Sequence, residues 1–135
     1  THILLWQKYL GVNVRIINGD KPIIRLMTDG FYAFGTPYAG KEKYQNNISA
    51  KIDGICVLSQ GSSNCIKRLD SDICVPLFSQ TYRPKDNEAM NNTLNLLNEL
   101  CKLPCYSFSC DVSETAVKTS FEALTGLTYN NNSIK

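Results

Sequence analysis

The chain has 135 residues, 43% of them hydrophobic and 19% charged, a size that one compact domain with an apolar core accounts for. Its 14 Lys and Arg against 12 Asp and Glu leave a net charge of +2, too small and too evenly spread to mark a phosphate backbone or an anionic membrane, so no nucleic acid is expected as partner. Apolar runs such as Ile3 to Trp6 and Ile23 to Met27 fall far short of the ~20 residues a membrane helix needs, so direct membrane insertion is excluded too.

From residue 3 to residue 78 the sequence predicts short strands broken by turns. Ile3 to Leu10 is apolar and ends at Gly11. Val12 to Ile17 is β-branched and stops at Asn18-Gly19, and Ile23 to Met27 restarts an extended run after Lys21-Pro22, so residues 12–27 read as a hairpin. Phe31 to Tyr38 crowds four aromatic residues between Gly30 and Gly40 and reads as a loop or a short edge strand. Ile48 to Leu58 alternates, and Gly61-Ser62-Ser63-Asn64 turns the chain into Cys65-Ile66, a hairpin that sets Cys56 opposite Cys65.

After Pro84 the period becomes helical. Met90, Leu94, Leu97 and Cys101 share one face, broadened by Leu96, Leu100 and Leu103, while Asn91, Asn95, Asn98 and Lys102 form a polar stripe; Pro104 ends this helix over about 86–103. A second helix, about 112–125, opens at an Asp111/Glu114 capping-box pattern, carries Val117, Phe121 and Leu124 on one face and stops at Gly126; residues 128–135 are polar and expected to fray. The fold class is therefore α+β: a small antiparallel β assembly followed by two helices stapled by Cys101, Cys105 and Cys110, all in a single domain over residues 1–135.

Six cysteines (Cys56, Cys65, Cys74, Cys101, Cys105 and Cys110) form an even set. None of the gaps between them matches the two-residue spacing of zinc knuckles, and His2 is the single histidine, so disulfides are favoured over a metal and no metal or cofactor is expected. Disulfides place the chain outside the reducing cytosol, at a cell or virion surface or secreted. The sequons at Asn47, Asn91 and Asn131 agree as candidate glycosylation sites. No signal-peptide pattern opens the sequence, which reads as an ectodomain, a mature form or a fragment.

Catalytic readings find little to build on. A Ser or Cys nucleophile needs an imidazole base, and His2 is the one candidate. A glycosidase needs two facing carboxylates, for which Glu42, Asp53, Asp70 and Asp72 are available, though acids in such turns are commonly solvated. No phosphate-cradling glycine loop is present. A binding surface is better supported: Phe31, Tyr32, Phe34 and Tyr38 supply large, stiff, amphipathic rings of the kind that anchor protein interfaces, with a core role for Phe31 and Phe34 as the competing reading. Trp6, flanked by Ile3, Leu4 and Leu5, reads as core.

The ordered series Lys21-Pro22-Ile23-Ile24-Arg25-Leu26-Met27-Thr28, Phe31-Tyr32, Gly35-Thr36-Pro37, Asn47-Ile48-Ser49, Ile55-Cys56-Val57 and Asn64-Cys65 resembles the N-terminal part of betaretrovirus-type envelope surface subunits. The resemblance runs over residues 12–66, and the Cys101 to Cys110 trio is similar to a cysteine cluster farther along those subunits. It implies a non-enzymatic, extracellular glycoprotein that binds a host cell-surface receptor, with an envelope fusion subunit as a second partner. A host-co-opted, secreted envelope-derived protein that occupies and blocks the receptor needs the same surface. A small secreted hydrolase or hydrolase inhibitor is the reading from another class.

Overall fold

The computed structural model describes residues 2–41, 43–70 and 74–130. The class is α+β, as expected, but the elements differ. In order they are α1 (His2–Leu10), β1 (Ile23–Met27), β2 (Gly30–Phe34), β3 (Ser49–Lys51), β4 (Ile55–Gln60), β5 (Cys65–Leu69), α2 (Cys74–Gln80), α3 (Asn87–Leu100), β6 (Cys105–Cys110) and α4 (Glu114–Thr125). The chain forms two compact units. One comprises the described residues up to Ile52 and those from Asp111 onward; the other is Asp53–Cys110.

In the first unit, the expected strand over residues 3–10 is the helix α1. An apolar run of this length carries no period that separates helix from strand, and Leu4, Leu5, Gln7, Lys8 and Leu10 favour a helix. The expected strand 12–17 forms no ladder: residues 11–13 make a 3-10 turn, with Gly11 at a φ of 57°. Trp6 packs against Phe121 of α4, ring centres 6.0 Å apart. On α4, Ala116, Val117 and Ser120 are fully or almost fully buried, the spacing of one helical face.

The N-cap of α4 is Ser113, whose hydroxyl accepts from the Ala116 N–H at 3.3 Å. Asp111 instead accepts from the Ser113 N–H and hydroxyl, so the N-cap lies two residues beyond Asp111 and, with Ala116 at the third helical position, the expected Asp111/Glu114 capping box does not form. Gly126 ends the helix at a φ of 70°, as the sequence predicts. The chain beyond it does not fray at once. Tyr129 donates from its hydroxyl to Glu114 Oε1 at 3.0 Å and from its N–H to Glu122 Oε1 at 3.1 Å; burial, then the Glu114 hydrogen bond, push its phenol up to about 12.

The hairpin of this unit is β1–β2, not residues 12–27. Thr28-Asp29 turns it, and Met27 faces Gly30 while Ile23 faces Phe34. Asn18 and Gly19 serve elsewhere: Asn18 Nδ2 donates to the Thr36 carbonyl at 3.0 Å and to Thr36 Oγ1 at 3.1 Å, and Gly19 N–H donates to the Tyr44 carbonyl at 2.9 Å. Far from being a loop or edge, β2 is the central strand, flanked by β1 and by β3.

The second unit is a three-stranded sheet of order β4-β6-β5, with β6 parallel to β4 and antiparallel to β5. The expected hairpin joining β4 to β5 therefore does not form, because β6 lies between the two strands. Residues 74–78, read as extended, belong to the short helix α2. Helix α3 matches the expected period. Asp86 caps it by accepting from the Ala89 N–H at 2.8 Å, and it buries Leu97 and Leu100, while Leu94 and Leu96 are left exposed. Its C-cap is Cys101, before Pro104.

Candidate binding surface

Register decides which side chains of the first unit share a face. In an antiparallel ladder directly paired residues point the same way, so Ile23, Arg25 and Met27 of β1 stand beside Phe34 and Tyr32 of β2, and Tyr32 beside Lys51 of β3. Phe31 points to the other face and is only 6% exposed. The sequence placed Phe31 among the contact residues; it is core, because a one-residue offset along a strand reverses the face. Tyr32 and Phe34 are half-buried, and Tyr38, in the following loop, is 73% exposed.

Every residue of β1 is exposed, including Ile23, Ile24, Leu26 and Met27. The strand also lies at the sheet edge, so one row of its N–H and C=O groups has no ladder partner in the sheet. The candidate surface is thus a sheet face with an apolar edge: Ile23, Met27, Tyr32 and Phe34, with Arg25 and Lys51 as cations. At its tip, Asp29 Oδ2 accepts from the Tyr32 hydroxyl at 2.9 Å and from Lys51 Nζ at 3.2 Å. Those two donors, Tyr32 first, hold the exposed Asp29 carboxyl below its ordinary range. The sequence missed this surface because Ile-Ile-Arg-Leu-Met, with little alternation, has the composition of a buried strand.

Thr36 fixes the loop beyond β2. Its hydroxyl donates to the Lys21 carbonyl at 2.6 Å and accepts from the Tyr38 N–H at 3.2 Å. Gly35, Thr36, Pro37, Gln45, Asn46 and Asn47 surround a shallow depression of about 260 Å³. Asn47, a candidate glycan acceptor, is exposed on this rim, and Asn91 is exposed on α3; Asn131 lies outside the described residues. Thr93 of the Asn91 sequon spends its hydroxyl on the Ala89 carbonyl at 2.8 Å.

All six cysteines are thiols, so the two expected helices are not joined by disulfides. Cys56 and Cys65 do not face each other. Cys56 pairs with Tyr106 and Cys65 with Ser109 on either side of β6, and alternation along β6 sends the two cysteines to opposite faces of the sheet. Burial raises the Cys56 thiol to about 11 and, with Cys74 beside it, the Cys101 thiol to about 12. Among the described residues, no group of three His, Cys, Asp or Glu side chains is arranged to hold a metal ion, and no helix is long and apolar enough to cross a membrane.

Of the candidate catalytic carboxylates, Asp53 and Asp70 are exposed, while Glu42 and Asp72 lie outside the described residues. His2 meets a serine that the sequence did not pair with it. Its Nε2 is 3.2 Å from Ser120 Oγ, which also accepts from Trp6 Nε1 at 2.9 Å. The Ser120 proton goes to the Ala116 and Val117 carbonyls at 2.8 and 3.1 Å, so Oγ acts toward His2 as an acceptor. Ser120 is 1% exposed, and the group is structural glue between α1 and α4 rather than a nucleophile with its base.

Desolvation lowers the His2 pKa from its ordinary value of 6.5, so the folded state favours the neutral ring. The resulting stability is complete above that value and is lost as pH falls below it toward the folded pKa. In urea denaturation, moving from about pH 7.5 to about pH 5 should cost the parent more than His2→Gln, which has no ring to protonate. Equal losses in the two proteins would remove His2 from the acid response.

No protein-family model, curated protein or solved structure matches this chain.

Proposed function

We propose that this chain is a protein-binding module of the betaretrovirus envelope surface-subunit type, which engages a host cell-surface receptor and catalyses no reaction. One observation carries the reading: β1 exposes Ile23 and Met27 at a sheet edge, on the same face as Tyr32 and Phe34 and with the two cations Arg25 and Lys51 beside Tyr32. Water-exposed apolar and aromatic groups in one patch, ringed by charge, are what a partner surface buries at the centre of an interface. Sequons at Asn47 and Asn91, both on exposed positions, support an extracellular setting, as does the resemblance over residues 12–66. An envelope fusion subunit is a second partner within this reading, and a secreted, receptor-blocking derivative would use the same face.

Binding of the glycosylated protein to intact cells tests it. Tyr32→Ala and Phe34→Ala should each weaken binding by roughly 30-fold, the equivalent of about 2 kcal/mol per anchor, with far-ultraviolet circular dichroism unchanged. Tyr82→Ala, on an exposed ring of the other unit, should bind like the parent. Parental binding by both Tyr32 and Phe34 variants would end the proposal.

The six thiols favour a second reading, an interaction module working in a reducing compartment through the same sheet face. Glycan occupancy of Asn47 and Asn91 in the naturally produced protein separates the two: occupied sites require passage through the secretory pathway, and vacant sites with retained binding favour the second.

A further inference from the structure

Three of the cysteines lie together although they are far apart in sequence. Cys74 opens α2, Cys101 caps α3, and Cys105 opens β6. Helix α2 packs against α3, and this brings the thiol of Cys74 beside that of Cys101. Cys105 is differently engaged: its thiol donates to the Leu103 carbonyl at 3.1 Å and lies 3.9 Å from the Cys101 carbonyl, with the residue 1% exposed. Two half-buried thiols side by side, next to a third turned onto the backbone, form a site for sulfur oxidation.

We propose that Cys74 and Cys101 are a dithiol that closes to a disulfide, joining α2 to the C-terminal end of α3, while Cys105 stays a thiol. The co-reactant is a small-molecule disulfide such as oxidised glutathione. The thiolate of one cysteine attacks it, expelling one glutathione thiolate and leaving a mixed disulfide; the second cysteine's thiolate then attacks the protein sulfur of that bond and expels the other. The two protons lost from the protein end on the two glutathione molecules released. Because burial and the neighbouring sulfur hold the Cys101 thiol near 12, few molecules carry its thiolate at neutral pH, and closure accelerates as pH rises.

This pairing differs from the Cys56–Cys65 bridge that a hairpin would have made, and it does not depend on the receptor-binding proposal. It also gives the chain one cross-link suited to an oxidising compartment.

Tryptic mapping after exposure of the folded full chain to oxidised glutathione reads the linkage directly. Cleavage after Arg68, Lys85, Lys102 and Lys118 puts Cys74 on residues 69–85, Cys101 on 86–102, and Cys105 with Cys110 on 103–118. The expected product is a covalent pair of the first two peptides, lacking two hydrogens relative to their sum and formed faster at higher pH. Cys105→Ser should form the same pair in the same yield. A first-formed bridge to the 103–118 peptide, a bridge within the peptide that carries Cys56 and Cys65, or no bridge under conditions that oxidise a control dithiol would each overturn the proposal.

Discussion

Phe108→Ala should lower the stability of the second unit by about 3–5 kcal/mol, the range for deleting a buried aromatic ring. Phe108 is the largest side chain with no exposure among the described residues, and it sits in the middle of β6, the strand that both β4 and β5 need as neighbour. Leu58 flanks it on one side and Ile66 on the other, all three on one face of the sheet. Alanine would leave a ring-sized void beneath the one strand whose loss removes every ladder in that sheet. A unit this small has only a few kcal/mol of stability in total, so the variant is expected to populate an opened state under native conditions. Native-state hydrogen exchange should show amides of β4, β5 and β6 losing protection together. Phe108→Leu, which keeps most of the volume, should cost less than about 1.5 kcal/mol. A loss below 1 kcal/mol for the alanine variant would mean that the ring is not packed as described.

What could be read from the sequence follows from how local each signal is. Helices α3 and α4 announce themselves through apolar residues at helical spacing and, for α4, through Gly126 at its end, and both lie where expected. The α1 run gives no period to read, and its tertiary contacts with α4, through Trp6 and Phe121, are what settle it as a helix. Strand β6 was hidden by its own cysteines: Cys105-Tyr106-Ser107-Phe108-Ser109-Cys110 alternates well, but a dense cysteine cluster reads as a disulfide loop. Missing β6 then produced the false β4–β5 hairpin, since a turn at Gly61 to Asn64 is a local signal and the strand inserted between its arms arrives some 40 residues later. In the candidate surface, Tyr32, Phe34 and Tyr38 were legible as aromatic residues and Phe31 was misassigned, because the phase of an alternation is known only once the strand is placed. The exposure of β1 left no trace in the sequence at all; it depends on what fails to cover the strand.

Gly35→Ala should cost about 3 kcal/mol, although alanine adds a single carbon. Three backbone segments converge at this point: Gly35 N–H donates to the Ile48 carbonyl at 3.1 Å, and Asn46 N–H donates to the Ile17 carbonyl at 3.1 Å. A Cβ on residue 35 would overlap the Asn46 carbonyl oxygen and stand 3.0 Å from the Ile17 carbonyl oxygen. Neither obstacle is a side chain that can rotate away, so the chain must separate at a crossing where Asn46 Nδ2 also holds the Ile16 carbonyl at 2.6 Å. Overpacking and weakened backbone hydrogen bonds add here rather than substitute for each other. Gly126→Ala supplies the contrast. Its φ of 70° disfavours a side chain, but nothing lies within 4 Å of the added carbon, so only the conformational cost of about 1 kcal/mol is expected. Urea midpoints of the two variants should therefore differ clearly, with Gly35→Ala the less stable. Because residue 35 leads directly into the Thr36 loop that carries Tyr38, the same variant should also weaken cell binding, whereas Gly126→Ala should leave it at the parental level.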